Sequence, residues 1–80
     1  MLDNLKSSNK VVGVKQAAKA LENGTAKLVY IAKDADPRVT GNIIELCHRN
    51  SVEIVYEDSM KHLGKACGIE VGAAVACVLK

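Results

Sequence analysis

The stretch "GVKQAAK" at residues 13 to 19 places three long hydrogen-bond donors, Lys15, Gln16 and Lys19, just after a glycine. Val14, Ala17, Ala18 and Leu21 are spaced i, i+3, i+4 and i+7, which predicts a helix with one apolar face. Its first turn therefore carries donors and cations where backbone N–H groups are unpaired and the helix dipole is positive. A helix selected for stability alone would carry Asp or Glu there. A lysine donates to phosphate or to the O6 and N7 acceptors of guanine, and a glutamine amide both donates and accepts at a base edge. Open amides at the same helix start add an anion site. On these residues alone two readings stand: donors for a nucleic acid, or lysines that face solvent.

Other chemistry finds less support. His48 and His62 have no Ser or Cys at an interpretable spacing, so both read as solvated surface residues. Cys47 and His48 are adjacent and would point about 100° apart on a helix, a poor start for a metal site. Cys47, Cys67 and Cys77 are widely spaced with no CxxC; Cys47 and Cys77 fall on apolar stretches and read as small hydrophobes, and zinc is not expected. Asp34 and Asp36 form a carboxylate pair on paper, but a helix-capping role for Asp36 is simpler. Gly64, Gly68 and Gly72 match neither the dinucleotide fingerprint nor the P-loop, and Gly64 reads as the end of a helix shaping a loop. No enzyme, cofactor or metal is expected.

The elements that must position the donors follow from patterning. "KVVG" at 10 to 13 is a short strand stopping at Gly13, and the helix after it ends at Asn23 and Gly24, with Gly24 suited to the left-handed position. "KLVYIA" at 27 to 32 is a near-continuous apolar run, the form of a strand covered on both faces. Asp36 and Pro37 mark the start of a second helix, which runs to Asn50 with Val39, Ile43, Leu46 and Cys47 as its buried stripe. "VEIVY" at 52 to 56 is a third strand, Ser59 caps a short helix over "MKHLGKA", and "AAVACVL" at 73 to 79 is a buried terminal strand. Residues 1 to 8, with Leu2 and Leu5, read as one or two helical turns at an edge. Such alternation predicts one α/β domain over residues 1 to 80, layered around a four-stranded mixed sheet.

Composition sets the bounds. Eighty residues, 49% of them apolar but with two Tyr and no Phe or Trp, make a core of small aliphatic layers. No apolar run approaches the roughly 18 residues that span a bilayer, and there is no secretory leader pattern, so a reducing cytoplasm and no membrane partner are expected. The net charge is only +2, but residues 1 to 40 carry +3 and residues 41 to 80 carry −1, which allows a local basic face.

In alternating topology Gly13, Val14, Lys15 and Gln16, then Lys33 and Asp34, then Gly68, Ile69, Glu70 and Val71, each lie at a junction and would gather on one rim of the sheet. Ile69 and Val71 are unusual in a loop unless they fold back or meet a partner. Without Phe or Trp as stacking platforms, an RNA target would be a folded shape and not an extended strand.

"GVKQAAKALENGTAKLVYIAKDADP" followed by "LGKACGIEVGAA" resembles the L7Ae-like ribosomal proteins over essentially the whole chain, most of all their short bacterial, kink-turn-binding members. The resemblance implies a three-layer α-β-α sandwich that binds, without catalysis, a sharply bent RNA loop with tandem sheared G·A pairs. It would place Gly13, Val14, Lys15, Gln16 and Lys19 at the sheared pairs, with Gly13 allowing close backbone approach. Lys33 and Asp34 would flank that site, Asp34 holding a lysine, and Ile69, Glu70 and Val71 would cover flipped-out nucleotides. The implied partner is a kink-turn in ribosomal RNA, a riboswitch or another folded RNA, with the ribosome a possible setting.

Archaeal and eukaryotic relatives typically carry Asn and Glu where this chain has Lys15 and Gln16, so its hydrogen-bond pattern at the guanines differs. The chain ends at Lys80 without the C-terminal helix of longer relatives, which is expected to leave the last strand less covered and dimerisation open, a monomer being the simplest state. L30e-type ribosomal proteins share the implied fold and a similar "KQ" start, with a glycine loop less like "GIEVGAA". From another class, a protein-interaction module using the Ile69 to Val71 loop is the remaining alternative.

Overall fold

The computed structural model describes residues 9–80, so the turns expected over residues 1 to 8 lie outside the described residues. The order is β1 (Lys10–Val12), α1 (Val14–Glu22), β2 (Ala26–Ala32), α2 (Pro37–Arg49), β3 (Glu53–Glu57), α3 (Met60–Ala66) and β4 (Val75–Leu79). The strands form one four-stranded mixed sheet in the order β1-β4-β2-β3, with β2 and β3 parallel and β4 antiparallel to both its neighbours.

Alternation along the two central strands divides the core in two. Val29 and Ile31 of β2, with Val75 and Cys77 of β4, point to the face covered by Ala17, Ala20 and Leu21 of α1 and by Ile43 and Cys47 of α2. Tyr30, Ala32, Ala76 and Val78 point to the opposite face, where Leu63 and Cys67 cover them. Helices on both faces of one sheet give the three-layer α-β-α sandwich expected from the sequence. All three cysteines are buried and free, and burial, with Cys47 nearby, pushes the Cys77 thiol up to about 11.

The helix starts and stops use local chemistry. The Asp36 carboxylate accepts the Arg38 backbone N–H at 2.9 Å with Pro37 in the first helical position, and the Ser59 hydroxyl accepts the His62 N–H at 3.0 Å. Gly24 and Gly68 follow α1 and α3 in the left-handed region, and Ser51 takes the same position after α2 with φ 56°. At that last site the Val52 N–H reaches the Cys47 carbonyl at 2.9 Å, closing the helix end.

Four expectations need correction. Val39 is 41% exposed, and Thr40 is buried in its place, because the buried line of α2 runs along Thr40, Ile43 and Cys47 and leaves Val39 on its rim. Gly64 does not end α3 but sits buried inside it: a Cβ there would run into the Val71 carbonyl, so this glycine permits the following loop to lie against the helix. The terminal strand begins at Val75, after Ala73 and Ala74 have made separate bonds to Met60 and Ala32. That strand is not poorly covered either, since β4 lies between β1 and β2 with Val75 to Val78 buried.

Candidate nucleic-acid interface

Backbone hydrogen bonds gather the three predicted segments on one rim. The Gly13 N–H donates to the Val75 carbonyl at 2.9 Å, tying the start of α1 to the start of β4. The Ala32 N–H reaches Ala74 at 2.9 Å and the Lys33 N–H reaches Glu57 at 2.8 Å, so the ends of β2 and β3 lie alongside. The Ala73 N–H donates to Met60 at 3.0 Å and joins α3 to the same rim. Gly13, Lys33 and the loop before β4, far apart in sequence, thus become neighbours in one row.

Gly13 is the residue on which α1 turns. Its φ of 116° and ψ of 156° belong to a region open essentially to glycine alone. A Ser or Asp in this place would be strained, and no side chain among the described residues caps the first turn. No acidic residue lies in that turn either. Lys15 and Gln16 project from it exposed, with Lys19 one turn further on, while Val14 is half-buried against the α1 face of the core. Neither Lys15 nor Lys19 has an ion-pair partner among the described residues.

The other two helices show the contrast. At α2 the Arg38 guanidinium forks onto Asp36 at 2.8 to 3.2 Å and, with the backbone amide, holds that carboxyl below the usual aspartate range. At α3 the Asp34 carboxylate accepts the Met60 N–H at 2.7 Å. The resemblance implies a lysine held by Asp34; the contact seen here joins it to a helix start, a bond across 26 positions that no local spacing reveals. Lys33 lies 3.8 Å from Asp58, so its charge is partly answered.

The loop before β4 splits by role. Ile69 folds back against the Leu63 core, its N–H bonded to the Gly64 carbonyl at 3.0 Å, so it is chiefly a packing residue. Val71 is 70% exposed and Glu70 is exposed beside it. Met60, 37% exposed, abuts Gly72 and adds apolar surface that the sequence reading missed. Also missed were Lys61 and Lys65, which line a groove of about 420 Å³ with Gly68 to Gly72. Their spacing of four on a helix next to the glycine loop was the available signal.

The rim therefore combines a helix start without a side-chain cap among the described residues, exposed donors and an exposed apolar loop. A model of the ribosomal protein L7Ae/L30e/S12e/Gadd45 family matches residues 2–80. The chain belongs to this family. Its L7Ae-family relatives include a protein of Bacillus pumilus named RNA-binding protein, 48% identical over 69 residues, covering 86% of this chain and 84% of that one. A second, from Caldanaerobacter subterraneus and also named an RNA-binding protein, is 52% identical over 67 residues, with 84% and 82% covered. Among solved structures, the Giardia lamblia 15.5kD RNA binding protein superposes with a TM-score of 0.92 at 32% identity, over 99% of this chain and 70% of that one. A Bacillus halodurans protein of unknown function gives 0.89 at 23% identity, over 99% and 83%, a likeness of fold.

Proposed function

We propose that this protein binds folded RNA without catalysis, and that its target is the bent internal loop of a kink-turn with tandem sheared G·A pairs. The observation that carries the reading is the start of α1. It is the one helix start among the described residues left without a side-chain cap, and it adds Lys15, Gln16 and Lys19 to its open amides. An RNA phosphate or guanine edge supplies the acceptors that the chain itself withholds. The exposed Val71 and Met60 offer apolar surface to bases unstacked by the bend. The names of the relatives and family membership support RNA as the partner class.

On this reading the protein acts by population shift: it binds the kinked RNA better than the extended RNA and so favours the kink. The work is done in the cytoplasm by a single chain. Calorimetric titration with a kink-turn RNA, beside a control whose sheared G·A pairs are replaced by Watson–Crick pairs, tests it. Tighter binding to the kink-turn is expected, weakening as salt rises. Equal affinity for both would remove the kink-turn; no RNA binding with retained protein capture through Val71 would favour an interaction module.

A further inference from the structure

Lys33 and Asp34 hold the approach to α3 and its first residue at three points. The Lys33 N–H donates to the Glu57 carbonyl at 2.8 Å, its ammonium lies 3.8 Å from Asp58, and the Asp34 carboxylate accepts the Met60 N–H at 2.7 Å. Met60 in turn holds the loop before β4. Its carbonyl accepts the Ala73 N–H at 3.0 Å, and Gly72 packs so closely on it that a Cβ there would come within 3.2 Å of the Met60 Cβ. The Val71 carbonyl rests against Gly64 inside the same helix. A row of contacts thus runs from the loop after β2, through Met60, to the exposed Val71.

Two observations separate Asp34 from an ordinary cap. Helix α3 is only seven residues long, and its first turn already has a side-chain cap in Ser59, whose hydroxyl accepts the His62 N–H at 3.0 Å. The second acceptor arrives from 26 positions away, so what it adds is a tie between two loops of the rim. Asp34 is also an exposed carboxylate on a rim read as binding RNA, where it repels phosphate. Such a charge disfavours a direct contact and suits a support.

We propose that Asp34 is a positioning residue: it makes no contact with RNA and, through Met60, sets where the apolar surface of Met60 and Val71 stands on the rim. The inference rests on the RNA reading above, in which that surface meets unstacked bases, and adds the residue that places it.

The test compares the wild type with D34A, D34N, V71A and D34A/V71A, by titration with the kink-turn RNA and by the backbone amide NMR signals of the free proteins. D34A should lose about fivefold in affinity and shift the signals of Met60, Gly72 and Val71, leaving those of Lys15 and Gln16 in place. D34N should recover both, because its side-chain oxygen still accepts the Met60 N–H without the charge. In the V71A background D34A should cost little more, since both changes act on one surface. Ser59 keeps α3 capped in every variant, and unfolding midpoints check that each is folded. Equal tightening by D34A and D34N would mark Asp34 as a charge that RNA feels directly and would overturn the positioning role. Losses that simply add with V71A, or loop signals unmoved in D34A, would overturn it as well. Failure of the wild type to bind RNA would instead remove the RNA reading. The loop signals then decide alone: shifted in D34A and restored in D34N they support the placement of Val71 by Asp34, and unmoved they overturn it.

Discussion

Helices α1 and α2 start from the ends of β1 and β2, the two strands that flank β4, on the same rim, and they treat their first turns in opposite ways. At α2 the chain answers its own donors: Asp36 accepts an amide, Pro37 brings none, and Arg38 is clamped by the same carboxylate. At α1 no side chain among the described residues caps the first turn, which turns on a glycine whose conformation excludes a capping side chain and adds Lys15 and Gln16. On the proposed function, the difference separates a helix start built to be stable from one built to be completed by RNA. It also locates the candidate site more firmly than the lysines do, because lysines on a helix ordinarily face solvent.

The strongest way to break this contrast is Gly13→Ala. Forcing an L-residue to φ 116° should cost about 1 to 3 kcal/mol of stability, read by urea unfolding, and should weaken RNA binding as the start of α1 shifts. No atom lies within 4 Å of the added Cβ, so the cost is backbone strain and not a clash. A variant as stable as the wild type would mean that the junction relaxes and that glycine is not what keeps α1 uncapped. Next, Gln16→Ala should cost on the order of 1 to 3 kcal/mol of binding to a kink-turn and relax discrimination for the sheared pairs, with the unfolding midpoint unmoved. Unaltered titrations would reduce Gln16 to a surface residue and α1 to an ordinary helix.

The far ends of the same helices sharpen the comparison. Helix α1 closes on Gly24, whereas α2 closes on Ser51 at φ 56°, a costly conformation for an L-residue. Ser51→Gly should therefore stabilise the protein by about 0.5 to 1 kcal/mol without touching RNA binding. A loss of stability in thermal unfolding would show that the serine side chain supports the turn.

The smallest expected effect is a pH dependence. Because Arg38 holds the Asp36 carboxyl below its usual range, the folded state favours the ionised form. This contribution is complete above about pH 4, near the unfolded value, and is lost as pH falls through the lowered native one. Asp36→Asn keeps a capping side chain but cannot titrate, so stability at neutral pH should barely change while the acid limb of the unfolding curve flattens. An unchanged acid limb would assign that loss to other carboxylates.

Much of the fold was legible because its cues are short-range. Asp36, Pro37 and Ser59 act on amides two or three residues away, and the apolar runs of β2 and β4 announce burial on both faces. The candidate site was legible where a local anomaly marked it, as in the donors after Gly13. It was not legible where the partner is distant: Asp34 with Met60, Lys33 with Asp58, or the groove that joins Lys61 and Lys65 to the Gly68 to Gly72 loop.

The amino-acid sequence by itself determined where elements begin and end, the two-faced alternation of the central strands, and the unusual chemistry of the α1 start. Each depends on residues within a turn or two of one another, so their spacing is enough. Tertiary structure alone decided that the last strand lies inside the sheet, that Thr40 and not Val39 is buried, that Gly64 serves the loop, and that Ile69 packs while Val71 stays exposed. Those outcomes depend on which surfaces meet when distant segments close on one core, and spacing along the chain carries no record of that choice.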